Sequence, residues 1–123
     1  MTNGSLSKLE FSEVLHAAGV TVAEGQQALM SAGDYPKLCY WEMTWDEEDA
    51  SGDSYGTVVR YQLSYAALRP RDPGLLRLRK SLREHGLRPR IYHESAREEG
   101  GPPYIHSDCA VDVLEEPPEP EDP

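Results

Sequence analysis

Two segments of the chain alternate apolar and polar residues with period two, and two others repeat apolar residues at helical spacing. From Lys37, Cys39, Trp41, Met43 and Trp45 fall on one side and Leu38, Tyr40, Glu42 and Thr44 on the other, which predicts a strand. A second alternating run places Tyr55, Thr57, Val59, Tyr61, Leu63, Tyr65 and Ala67 opposite Val58, Arg60, Gln62 and Ser64. With the acidic loop "DEEDASGDS" between them, the two read as a long antiparallel hairpin.

The helical segments carry their own boundary signals. Ser7 and Glu10 form a capping box, after which Phe11, Val14, Leu15 and Ala18 recur at helical spacing until Gly19, so a helix is expected over 8–18. In "DPGLLRLRKSLREHG", Asp72 is the N-cap, Pro73 the first helical residue and Gly86 the stop, with Leu75, Leu78 and Leu82 as the buried stripe. Residues 20–34 are ambiguous: "VTV" favours a short edge strand, and Gly25 weakens a helix by about 1 kcal/mol relative to Ala. "LRPRIYHES" and "YIHSDCAVDVLE" complete the pattern as two strands around the wide loop "AREEGGPP". In the last strand Ile105, Cys109, Val111 and Val113 should face the core, and His106, Asp108 and Asp112 should face out. The expected order is α-(β)-β-β-α-β-β. This is an α+β domain over 1–115, in which two helices pack on a mostly antiparallel sheet of four to five strands.

Length and composition fit one core. At 123 residues a single domain buries well over half of its unfolded surface. The 38% hydrophobic content is depressed mainly by the ends and the acidic loops. Residues 115–123, "EEPPEPEDP", hold five acids and four prolines, so 116–123 is expected to be a disordered tail. No apolar run approaches the ~20 residues of a membrane span, and the first residues lack a signal-peptide core, so a soluble protein of cytosolic origin is expected, with no membrane partner. Cys39 and Cys109 form no CxxC and read as buried thiols.

Charge changes the picture more. The formal net charge is -10, yet residues 69–90, "RPRDPGLLRLRKSLREHGLRPR", hold eight of the twelve basic residues and only two acids. That stretch is therefore +6 and the rest of the chain -16. On a helical wheel Arg79 and Arg83 lie beside Leu76 on one shoulder, and Arg77 and Lys80 take the outer side. Arg88 and Arg90 are expected on one face of the following strand beside Tyr92, with Arg60 on a strand surface nearby. A nucleic-acid surface would need a net basic domain with interleaved aromatics, and the negative overall field opposes that. The bland alternative is a solvated helix face. The specific one is a protein interface in which Arg77, Arg79, Lys80, Arg83, Arg88 and Arg90 meet the acidic loop Asp46, Glu47, Glu48, Asp49 and Asp53 of a neighbouring copy.

Residues that could carry chemistry do not assemble into a reactive pattern. His93, Glu94, His106, Asp108 and Cys109 sit on two strands that should pair, but His106 and Cys109 point to opposite faces and no further ligand follows at metal spacing. The Cys109 thiol faces the expected core, which argues against a Cys and His nucleophile pair. The five acids of the loop lack the isolation of a catalytic carboxylate and the ligand positions of an EF-hand. There is no Gly-rich phosphate loop and no G-x-S-x-G elbow. No catalytic, cofactor or metal residues are assigned, and an enzyme is not expected.

The order of elements resembles the tail terminator or tail completion proteins at the head-tail neck of long-tailed bacteriophages. The likeness rests on a short helix ending in "AAGVTVAEG", the strand "YPKLCYWEMTW", an acidic loop, "YGTVVRYQLSYAAL", the charged helix "DPGLLRLRKSLREHGL" and the closing "YIHSDCAVDVLE". It covers most of residues 6–115. The resemblance implies a homo-oligomeric ring, a hexamer, that stops tail-tube growth and contacts a tail-tube protein and a head-connector protein. DNA would pass through without specific binding, and the protein would act in the host cytoplasm during assembly and reside in the virion neck. Residues 26–34 and the acidic proline tail depart from the family pattern. The alternative from another class is an acidic DNA mimic that occupies a basic nucleic-acid-binding protein, against which the basic helix counts.

Overall fold

The computed structural model describes residues 6–25, 35–49, 55–97 and 99–115. The expected edge-strand connection over 26–34, Asp53 and the tail 116–123 lie outside them. The chain runs α1 (Lys8–His16), β1 (Thr21–Glu24), β2 (Lys37–Asp49), β3 (Tyr55–Ala67), α2 (Pro73–Glu84), β4 (Tyr92–Arg97) and β5 (Pro103–Glu115). The strands form one mixed sheet in the order β1-β2-β3-β5-β4, with β1 parallel to β2 and every other pairing antiparallel. The fold is α+β, with the short strand expected from "VTV" in place at one edge.

Both helices start where the sequence indicates. Ser7 Oγ accepts from the Glu10 N–H while Glu10 Oε1 accepts from the Ser7 N–H, so the capping box closes in both directions. Asp72 Oδ2 accepts from the Gly74 N–H at 3.0 Å, and Pro73 follows as the first helical residue.

The helices run antiparallel to each other over one face of the sheet. Ser81 Oγ donates to the Val14 carbonyl at 2.8 Å, and Arg77 Nε donates to the Ala18 carbonyl at 2.9 Å. Beneath them lies the core: Phe11, Leu15, Leu78 and Leu82 against Leu38, Tyr61, Leu63, Tyr65 and Val113. The Phe11 ring stacks on Tyr61 with centroids 4.3 Å apart. Burying each such side chain contributes on the order of 1.5–3 kcal/mol. The face of β3 that carries Val59, Tyr61, Leu63 and Tyr65 is buried from Thr57 to Ala67. Cys109, Val111 and Val113 join it, while Ile105 is only partly buried.

The alternation expected in β2 breaks at one residue. The pairing register shifts between Glu42 and Thr44, leaving Met43 as a bulge, so Tyr40 opposes Leu63 and Trp45 opposes Val59. Trp45 therefore lies on the same side as Tyr40, not with Cys39 and Trp41. Trp45 is 58% exposed and donates its indole N–H to Glu42 Oε1.

Two further expectations are corrected. Asp46, Glu47, Glu48 and Asp49 are not a loop, because β2 continues through Asp49 and pairs with β3 up to Tyr55. Residues 87–91 are irregular and β4 begins only at Tyr92, so Arg88 and Arg90 do not sit on a strand. Pro89 lacks the N–H that a ladder position requires.

Candidate subunit interface

Helix α2 is seated by its apolar stripe, and this seating aims its cations outward. Leu75, Leu78 and Leu82 are buried, together with Gly74 and Ser81. Gly74 lies so close to β3 that a side chain there would run into the Tyr65 hydroxyl and approach Val20 Cγ1 to 2.7 Å. The Tyr65 hydroxyl in turn donates to Asp72 Oδ2, which ties the N-cap of α2 to the middle layer of the core. Burial and this bond to a carboxylate push the Tyr65 phenol well above its ordinary range.

The six basic residues assigned to the patch do not behave alike. Arg79, Lys80, Arg83 and Arg88 border one shallow groove together with Glu84. None of these four cations makes an ion pair with a described residue. Arg79 and Arg83 are one helical turn apart, so their like charges repel along the same face. Arg77 departs from the expected outer position: its guanidinium turns toward α1 and bonds the Ala18 carbonyl beside Gly19. Arg90 lies over the Tyr92 ring at 5.3 Å. Arg60 is on the opposite face of the sheet from α2, bidentate to Asp112 at 2.8 and 3.1 Å. That pairing holds the Asp112 carboxyl below its ordinary range.

A second groove separates α2 from β4, because neither helix covers that edge strand. Its volume is about 480 Å³; Leu75, Leu76 and Ile91 form the floor, with Arg71 and Arg79 on the helix side and His93 on the strand side. His93 Nδ1 shares a hydrogen bond of 2.8 Å with Ser107 Oγ.

The acidic partners are spread along the hairpin. Asp46 is exposed and makes no ion pair with a described residue. Glu47 accepts from the Thr57 hydroxyl at 3.3 Å. Glu48 and Asp49 extend β2 beyond it. On the helix-facing side, Lys8 bridges Glu24 at 2.8 Å and Glu42 at 3.1 Å, and these bonds raise its pKa. The buried Glu115 accepts from the Tyr61 hydroxyl at 2.9 Å.

One polar cluster was not anticipated. Register places Ser64 opposite Asp108 and Ala66 opposite His106, so Ser64, His106 and Asp108 converge on the face away from the helices. Ser64 Oγ contacts His106 Nε2 and donates to Asp108 Oδ1 at 2.5 Å, while His106 Nδ1 lies 3.1 Å from Asp108 Oδ2. The residue types are those of a nucleophilic triad, but the connections close into a ring. The serine hydrogen goes to the aspartate and not to the imidazole that would have to remove it. Ser64 is also 0% exposed, so no substrate atom reaches its oxygen. The cluster joins β3 to β5. The signal for it was the alignment of "QLSYA" with "HSD", which becomes visible only once the strands are paired.

His93 and His106 lie on opposite faces, since Ser107 pairs with His93 and Glu94 with His106. Among the described residues no group of three or more His, Cys, Asp or Glu side chains could hold a metal ion. Burial raises the Cys109 thiol to about 12, and it raises Cys39 as well.

No known protein family matches the chain. No curated protein matches it either. No helix among the described residues is long and apolar enough to cross a membrane.

Proposed function

We propose that the chain is a structural assembly subunit of the tail terminator or tail completion type, one of six copies in a ring at the head-tail neck of a long-tailed bacteriophage. The observation that carries this reading is the charge segregation within one subunit. Arg79, Lys80, Arg83 and Arg88 find no ion partner among the described residues of their own chain, and Asp46 is likewise unpaired. Two different complementary patches on one subunit make a heterologous interface, which closes into a ring when the rotation between copies allows it. Bringing a carboxylate of one copy against Arg79 and Arg83 of the next would relieve their mutual repulsion and add charge-assisted hydrogen bonds.

In this reading the ring ends tail-tube growth, contacts the tail-tube and head-connector proteins, and lets DNA pass without binding it specifically. It assembles in the host cytoplasm and stays in the virion neck. No catalytic step, cofactor or metal is part of it. The Ser64 cluster is read as a tie between β3 and β5, because its hydroxyl is closed to solvent.

A charge-swap experiment tests the pairing. Arg79→Glu with Arg83→Glu should abolish self-association, and Asp46→Lys with Glu47→Lys should do the same. Mixing the two variants should restore association only between unlike chains, read by sedimentation velocity with one chain fluorescently labelled. Association of each variant alone at the unmodified level would remove the basis for this pairing.

A further inference from the structure

The groove between α2 and β4 combines an apolar floor with a cationic helix side, and no described residue fills it. Leu76 at its floor is 49% exposed, a large apolar side chain left open beside two arginines. Arg71 and Arg79 make no ion pair with a described residue. A ligand suited to it would be extended, carry several negative charges and present apolar rings between them. One segment of this chain has that composition: residues 116–123, "EPPEPEDP", alternate four acids with four prolines. Proline favours the polyproline conformation, whose backbone needs no hydrogen-bond partners of its own and loses little entropy when held. Its rings suit Leu75, Leu76 and Ile91, and its carboxylates suit Arg71 and Arg79.

We propose that the α2-β4 groove of one copy receives the acidic proline segment 116–123 of a second copy. This rests on the self-association reading above and adds a second, tethering contact to it. Geometry favours a second copy over the segment's own groove. The strand-side wall, His93, pairs with Ser107, and β5 runs on from Ser107 to Glu115. Those eight steps span about 26 Å. A segment of eight residues in the polyproline conformation extends about 25 Å. After reversing at Glu115, residues 116–123 would all be spent in reaching His93 and could not themselves lie along the floor of their own groove. A segment arriving from another copy has no such return to make.

Cysteine trapping in the full-length chain tests this. A chain carrying Leu76→Cys is mixed with a differently tagged chain carrying Glu119→Cys under mild oxidation; the native Cys39 and Cys109 are buried and do not compete. The expected product is a reducible dimer of the two unlike chains. Adding Arg71→Glu alone to the groove chain, which leaves the Arg79 and Arg83 pairing of the ring in place, should lower its yield at least about tenfold, the loss of roughly one charge-assisted contact. Moving the groove cysteine to Leu9, 73% exposed on α1, should remove it. Absence of the unlike dimer overturns the proposal. So does an internal disulfide in the Leu76→Cys, Glu119→Cys double variant at high dilution, because it would place the segment in its own groove. A full-length chain with Glu116→Gln, Glu119→Gln, Glu121→Gln and Asp122→Asn separates this failure from that of the broader reading. If no trapped dimer forms while this variant and the unmodified chain still self-associate equally, the tether fails and the ring interface stands.

Discussion

The Tyr65 hydroxyl donates to Oδ2 of Asp72 across 2.5 Å, and the same carboxylate oxygen caps the Gly74 N–H. A residue at the centre of the sheet thereby fixes the start of the helix that carries the unpaired arginines. Tyr65→Phe removes the donor and leaves the cap in place, with a buried carboxylate one hydrogen bond short; the expected cost is about 1–3 kcal/mol. Asp72→Ala also removes the cap, worth about 0.5–2 kcal/mol in its own right. Urea unfolding followed by Trp fluorescence reads both, and equal stability of Tyr65→Phe and the unmodified chain would refute the link.

Two glycine substitutions should separate a rigid contact from a yielding one. A Cβ at Gly74 meets the Tyr65 hydroxyl and Val20, both held by the core, so Gly74→Ala should destabilise by about 1–3 kcal/mol. A Cβ at Gly56 meets only the Leu114 side chain, closest at its Cδ1 end, and that side chain is 42% exposed and can turn away. Gly56→Ala should therefore cost clearly less than Gly74→Ala in the same unfolding assay.

Alkaline pH should weaken the fold through its buried thiols and phenols. The Cys109 thiol rises from an ordinary 9.0 to about 12, and burial moves Cys39, Tyr61 and Tyr65 in the same direction. With a folded-state pKa above the unfolded one, the stability held by neutral Cys109 is complete below pH 9 and falls as pH rises toward 12. Cys109→Val should flatten the decline of the urea midpoint across that window. A thiol reagent at pH 8 should label neither cysteine in the native chain and both after unfolding.

Much of this architecture was legible in the residues, and the exceptions have physical causes. The alternation along β3 identified the face that meets the helices, since Val59, Tyr61, Leu63 and Tyr65 fall on it at every second position. The N-cap signals at Ser7 and Asp72 were equally local and equally correct. In β2 the bulge at Met43 depends on the partner strand, so alternation alone placed Trp45 on the wrong side. The acids Asp46 to Glu48 read as a loop because their own strand propensity is low, yet β3 offers them ladder partners from Val58 to Gly56. For the basic patch, a helical wheel gives direction but not reach: Arg77 turned out to bond the Ala18 carbonyl of α1, a partner 59 residues away. Pro89 was the available sign that "LRPR" would not form a strand.

The central claim, that copies of this chain associate through the α2 cations, is tested most directly by absolute molar mass. Light scattering after size exclusion should give the unmodified chain at low salt a mass several times its monomer value of 13.8 kDa, approaching six copies. The mass should fall toward the monomer as salt screens the charges. A mass of 13.8 kDa at every salt and protein concentration would contradict it.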